Sequence, residues 1–109
     1  MNKIKTEVTF IEKNGMSYSR RIETYENGQI ASEGIFSKSL NDWSWSVPHG
    51  VVRSYYEDGT LKSEEVYDER GIRTGPSCYY SRKGELVRRL QYADDRLIKE
   101  ENFKILEIK

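Results

Sequence analysis

Apolar and polar residues alternate in short runs along this chain, and the runs recur. From Leu61 to Tyr67 the sequence reads LKSEEVY. Alternation of this kind predicts a strand with Leu61, Ser63, Glu65 and Tyr67 on one face and Lys62, Glu64 and Val66 on the other. The same parity selects Ile30 and Phe36 in an earlier segment and Leu86, Leu90 and Tyr92 in a later one. Each segment follows an aromatic and a glycine turn: Tyr25 with Asn27-Gly28, Tyr56 with Asp58-Gly59, and Tyr80 with Lys83-Gly84. The spacing is 31 residues from Gly28 to Gly59 and 25 from Gly50 to Gly75. The pattern is a β-hairpin written three times, over residues 20–36, 50–67 and 75–92. Asn-Gly and Asp-Gly predict two-residue turns, in which both central residues take φ > 0. The third turn, with Arg82-Lys83 ahead of its glycine, is predicted to be longer.

Units that repeat at this period cannot bury an apolar face alone and are expected to stack. Side by side, the hairpins would line their apolar residues into one seam, with Tyr67 at its centre. The expected fold class is therefore all-β: a single antiparallel meandering sheet of stacked hairpin repeats, in one domain over residues 1–109. A further hairpin is expected ahead of the repeats, around Lys13-Asn14-Gly15. In the tail RLIKEENFKILEIK, Leu97, Phe103 and Ile105 alternate as in a strand, while the Glu and Lys content suits a helix; a strand over 96–103 is favoured. A meander keeps two open edges, so a homodimer through an edge strand is one expectation.

Composition narrows the partners. Leu, Ile, Val and Phe supply 24 of 109 residues, a thin core to which eight Tyr and two Trp add amphipathic surface. Eighteen basic residues balance eighteen acidic ones. That balance argues against binding to nucleic acid or to a membrane surface, both of which depend on clustered positive charge. Cys78 is the one cysteine, so no intrachain disulfide forms, and no apolar run reaches the length of a leader or a span. A cytoplasmic protein is the expectation.

The units GVVRSYYEDGTLKSEEVY (Gly50 to Tyr67) and GPSCYYSRKGELVRRLQY (Gly75 to Tyr92), with the shorter Tyr25 to Phe36, resemble the variant MORN repeat of the YwqK-like antitoxin family. Units of that family run Gly, aromatic, Tyr-Tyr, acidic or Asn, Gly, Leu, Lys, acidic, Tyr. Val52 and Ser77 stand where the family often has Trp. The resemblance implies a sheet of stacked hairpins. It also implies an antitoxin or immunity protein that binds and neutralises a cognate bacterial toxin, or, as the alternative, a MORN-type structural or adaptor module.

Residues that might carry chemistry are sparse, and an enzyme is not expected. His49 is the sole histidine, so a metal site built on histidines is not expected, and a Cys78–His49 pair would need two different units to converge. Glu64 and Glu65 point to opposite faces of one strand, and no glycine run suits a phosphate. Neither cofactor nor metal is expected. The candidate residues are instead those of a protein interface. The stretch at residues 37–49 interrupts the repeat and carries Asp42, Trp43, Trp45 and His49. Its two tryptophans can anchor a partner, close as a lid over the aromatic seam, or stack on a ligand. Beside it, Glu57, Asp58, Glu64, Asp68 and Glu69 form an acidic run. This run either pairs with basic residues on neighbouring strands or presents an acidic surface to a toxin with a basic one.

Overall fold

Short alternating runs separated by turn residues leave the chain one economical solution, in which each strand pairs with the next. The computed structural model describes residues 2–38 and 46–103. Its strands are β1 (Lys3–Lys13), β2 (Met16–Tyr25), β3 (Ile30–Lys38), β4 (Ser46–Tyr55), β5 (Leu61–Tyr67), β6 (Gly75–Tyr80), β7 (Leu86–Ala93) and β8 (Arg96–Asn102). They form one antiparallel sheet in sequence order, with no helix among the described residues. The extra N-terminal hairpin is present as β1–β2, and the tail adopts the strand alternative as β8. Trp43, Trp45 and Asp42 lie outside the described residues. The ends of the 37–49 stretch are strand, because Ser37 pairs with Val47 and Ile35 with His49. The described part of this apparent insertion is thus a lengthening of β3 and β4.

The repeat turns differ from the two-residue form expected of them. In each, the amide of the first residue donates to the carbonyl four residues on, and the glycine amide donates back: Tyr25 with Gln29 and Gly28, Tyr56 with Thr60 and Gly59, Ser81 with Glu85 and Gly84. This is a three-residue loop that closes on a left-handed glycine. Only Gly28, Gly59 and Gly84 need positive φ (86°, 92° and 84°), so Asn27 and Asp58 do not. Their side chains act instead as caps, Asn27 Oδ1 accepting from the Gln29 amide and Asp58 Oδ1 from the Thr60 amide. The third turn is no longer than the others. Its counterpart of Tyr25 and Tyr56 is Ser81, and Tyr80 corresponds to Tyr55. True two-residue turns occur at Asn14-Gly15 and at Asp94-Asp95, where both central residues have positive φ.

Strict alternation also breaks at one repeated place. Thr24 pairs with Ile30, Tyr55 with Leu61 and Tyr80 with Leu86, each after a skipped residue (Ala31, Lys62, Val87). This bulge reverses the side on which the next residue lies and tightens the twist. Ile30, Leu61 and Leu86 therefore leave the expected seam, which keeps Phe36, Tyr67, Leu90 and Tyr92.

Adjacent hairpins are stitched through their turns. The Tyr25 hydroxyl donates to the Tyr55 carbonyl at 2.6 Å, and the Tyr56 hydroxyl repeats the bond one unit on, to the Tyr80 carbonyl at 2.7 Å. Asn27 Nδ2 donates to the Glu57 carbonyl at 2.7 Å, and Arg82 reaches Glu57 Oε2 at 2.7 Å. Tyr25, Ala31 and Leu90 are the buried apolar side chains among the described residues, and Ser77, opposite Leu90, is buried as well. A sheet without a second layer covers a side chain only with its neighbours, so Tyr67, expected at the heart of a closed seam, is half-buried.

Two substitutions test this packing. Half-burial makes Tyr67→Ala cost about 1–2 kcal/mol rather than the larger loss of a closed core, to be read from urea unfolding. Gly71 has φ +79°, and a Cβ there would lie 2.7 Å from Val47 Cβ, whereas at Gly84 (φ +84°) its nearest neighbour would be Thr60 Cγ2 at 3.8 Å. Both Gly→Ala changes cost the left-handed penalty of about 1–2 kcal/mol. Gly71→Ala carries the collision as well and is expected to be the more destabilising.

Candidate protein-binding face

Register assigns each strand residue to one of two faces. Ile11 pairs with Tyr18, Tyr18 with Ser37, Ile35 with His49, and these side chains share a face across β1 to β4. The turn after β5 rises beside them. Asp68 Oδ1 accepts from the amides of Arg70 and Ile72 and fixes this loop. Glu69 and Arg70 thereby form the far wall of a pocket of about 590 Å³, with Ile11, Tyr18 and Ile35 as its apolar wall and Lys13 at the rim. His49 lines it too. The His49 ring lies 5.2 Å from that of Tyr18, and its Nδ1 is buried with no hydrogen-bond partner among the described residues. Arg70 is braced at its other side by Asp68 (3.1 Å) and by Asp94 (2.6 Å) of the β7–β8 turn.

Next to the pocket, the same face carries a polar band. The Tyr55 hydroxyl donates to Glu33 Oε1 at 2.6 Å, and Arg53 Nε meets Glu64 Oε2 at 2.8 Å. Burial, and then the bond to Glu33, push the Tyr55 phenol up to about 12. Tyr67, on the opposite face, is also pushed up to about 12, by burial and then by its bond to Glu65. Farther along, Arg89 binds Glu101. Register places Cys78 between Glu64 and Arg89, while His49 sits beside Ile35, so these strands do not assemble the Cys78–His49 pair.

The predicted site residues therefore separate. His49 and Glu69 meet in the pocket, and Asp68 supports its wall. Glu64 lies in the polar band. Glu57 and Asp58 lie in the β4–β5 turn, at the other end of β5 from Glu69. Glu57 is held at about 2, first by its bond to Arg82, and Asp58 is lowered by its cap on Thr60. The acidic run thus spreads along a whole strand, with Glu57, Glu64 and Asp68 each beside an arginine. Ile11, Tyr18 and Ile35 did not stand out in the sequence. The signal that points to them is the Asn14-Gly15 turn, which sets Ile11 opposite Tyr18.

Residues 48–69 match the MORN repeat variant. The matched stretch runs from Pro48 in β4 through the Tyr56 turn and β5 to Glu69, and so includes both His49 and Glu69. It corresponds to the second of the three units. Neither a curated protein nor a solved structure matches the chain. Among the described residues no helix is long and apolar enough to cross a membrane.

The raised tyrosines give a pH dependence with a definite sign. A phenol whose folded pKa lies above its ordinary value near 10 stabilises the fold fully below that value. The contribution is lost as pH rises through the folded pKa. The urea midpoint should therefore fall between about pH 10 and pH 12. Phenolate absorbance should rise late for Tyr55 and Tyr67, and Tyr55→Phe should remove part of the late phase. A midpoint that is flat over this window contradicts the assignment.

Proposed function

We propose that the chain is a protein-binding module of the structural or adaptor kind, and that its working surface is the pocket end of the face bearing Tyr18, Ile35 and His49. The observation that carries this reading is the pocket itself. An apolar wall, a buried His49 nitrogen with no partner among the described residues and a braced arginine offer one protruding side chain both apolar and polar complements. The match of residues 48–69 to the MORN repeat variant supports the same class.

The narrower form of this reading is an antitoxin or immunity protein that covers a cognate toxin. The resemblance of the Gly50–Tyr67 and Gly75–Tyr92 units supports it. The ion pairs of Glu57, Glu64 and Asp68 change its physical basis. Carboxylates already neutralised by arginines contribute little steering, so recognition would rest on the pocket rather than on a basic toxin surface. Trp43 and Trp45 fall between β3 and β4 in the sequence.

A photo-crosslinking residue in place of Ser37, on the pocket lining, is expected to capture one protein in cells. The same residue at Glu85, in the β6–β7 turn, should capture none. Ile35→Arg should abolish capture without altering the circular dichroism spectrum. Capture that survives Ile35→Arg, or that occurs at position 85, places the working surface elsewhere. If the captured protein arrests growth when expressed alone, and the unmodified chain but not Ile35→Arg relieves the arrest, the narrower reading stands; a harmless captured protein refutes that reading and keeps the module.

A further inference from the structure

Among the described residues β1 is the longer of the two edge strands of the sheet, and side chains on it are poorly suited to solvent. Phe10 is 74% exposed and Val8 46% exposed. The other edge is blunted: β8 reads RLIKEEN, with Lys99, Glu100 and Glu101 in succession, and charge of that density discourages pairing with another strand.

The turn fixes which β1 groups face outward. Asn14-Gly15 is a two-residue turn closed by the Lys13–Met16 pair, and the pair next to such a turn exchanges both backbone hydrogen bonds. Counting back by twos, Lys13, Ile11, Thr9 and Glu7 bond to β2. The N–H and C=O groups of Glu12, Phe10, Val8 and Thr6 are left pointing away from the sheet.

We propose that β1 pairs with β1 of a second copy of this chain, antiparallel about a twofold axis that passes between the two Phe10 residues. In this register Phe10 meets Phe10, and Val8 meets Glu12 through the outward backbone groups. On the other face Thr9 meets Ile11, and Glu7 meets Lys13 twice, once on each side of the axis. Charge selects it. Sliding one strand by two residues toward the N-terminus sets Lys5 opposite Lys13, and sliding by four sets Lys3 opposite Lys13. A register centred on Thr6, which pairs Lys5 with Glu7, leaves Phe10 uncovered. The chosen register joins opposite charges and covers the most exposed aromatic ring of β1. It also continues both faces of the sheet across the axis. Ile11 and Lys13 line the pocket, so the two pockets of the dimer lie on one side and near the axis. The proposal is independent of what the pocket binds.

Sedimentation equilibrium of the full chain over a wide concentration series tests it. The mass is expected to rise from that of one chain, 12.8 kDa, toward twice that value. Phe10→Lys, which places like charges on the axis, should hold the mass at one chain with an unchanged circular dichroism spectrum. Glu7→Lys or Lys13→Glu alone should weaken the dimer roughly tenfold or more, and the double exchange should restore it to within about threefold. A single-chain mass at every concentration overturns the proposal, as does a dimer that survives Phe10→Lys. A double exchange that stays as weak as the single changes overturns the register.

Discussion

A sheet of one layer has nothing to lean on, so its hairpins must be held to one another within the plane and at their turns. The hydroxyls of Tyr25 and Tyr56 meet that constraint. Each reaches from the first position of one repeat turn to the backbone carbonyl just before the next repeat turn, so the bond made by the first unit recurs in the second. In the third unit the position is Ser81. Among the described residues no further turn of this type follows it, and its hydroxyl caps its own turn instead. The ladder therefore has a direction, and whether a turn extends it is set by whether a tyrosine or a serine starts that turn.

The rest of the molecule follows from this economy. With few side chains closed off, charged residues lie alongside apolar ones on both faces, and several pair with cross-strand neighbours: Arg53 with Glu64, Arg88 with Glu100, Arg89 with Glu101. Such pairs are individually weak at a surface, yet they match neighbouring strands in register. The repeated bulges add twist, which a wide single sheet needs in order not to lie flat. The pocket forms where β3 and β4 are longest and where the loop braced by Asp68 and Asp94 rises beside them.

Much of this was legible in the sequence. Three aromatic-glycine-alternating units gave the strand order, and Lys13-Asn14-Gly15 gave the leading hairpin. The tail's Glu100 and Glu101, which looked helical by composition, sit opposite Arg89 and Leu90 in the register and bind Arg88 and Arg89, so ion pairing outweighed propensity there. Less legible was anything that depends on one skipped residue. Ala31, Lys62 and Val87 carry no mark of a bulge, and a bulge overturns the parity of everything between it and the turn. The turn type is not legible, because Asn-Gly serves both the two-residue turn and the three-residue loop, and only the backbone of the residue before the glycine distinguishes them. For the candidate site, His49 and Glu69 were found for their chemistry. Ile11, Tyr18 and Ile35 were not, because the pocket is made by the rise of a distant turn rather than by any motif.

Because each strand pairs only with those beside it in the chain, every native pairing is local in sequence. A chain of this kind can begin to fold at any hairpin and add the next by extension, without closing a long loop first. Its free energy is close to a sum over units and their borders, like that of a one-dimensional array. Opening should then start at the ends and move inward instead of occurring all at once. Another unit of 25 residues, the spacing from Gly59 to Gly84, could join the series if it began its turn with tyrosine and left the terminal serine in last place. Length is thus a free variable of this architecture, and the number of units can change while the grammar of each stays the same.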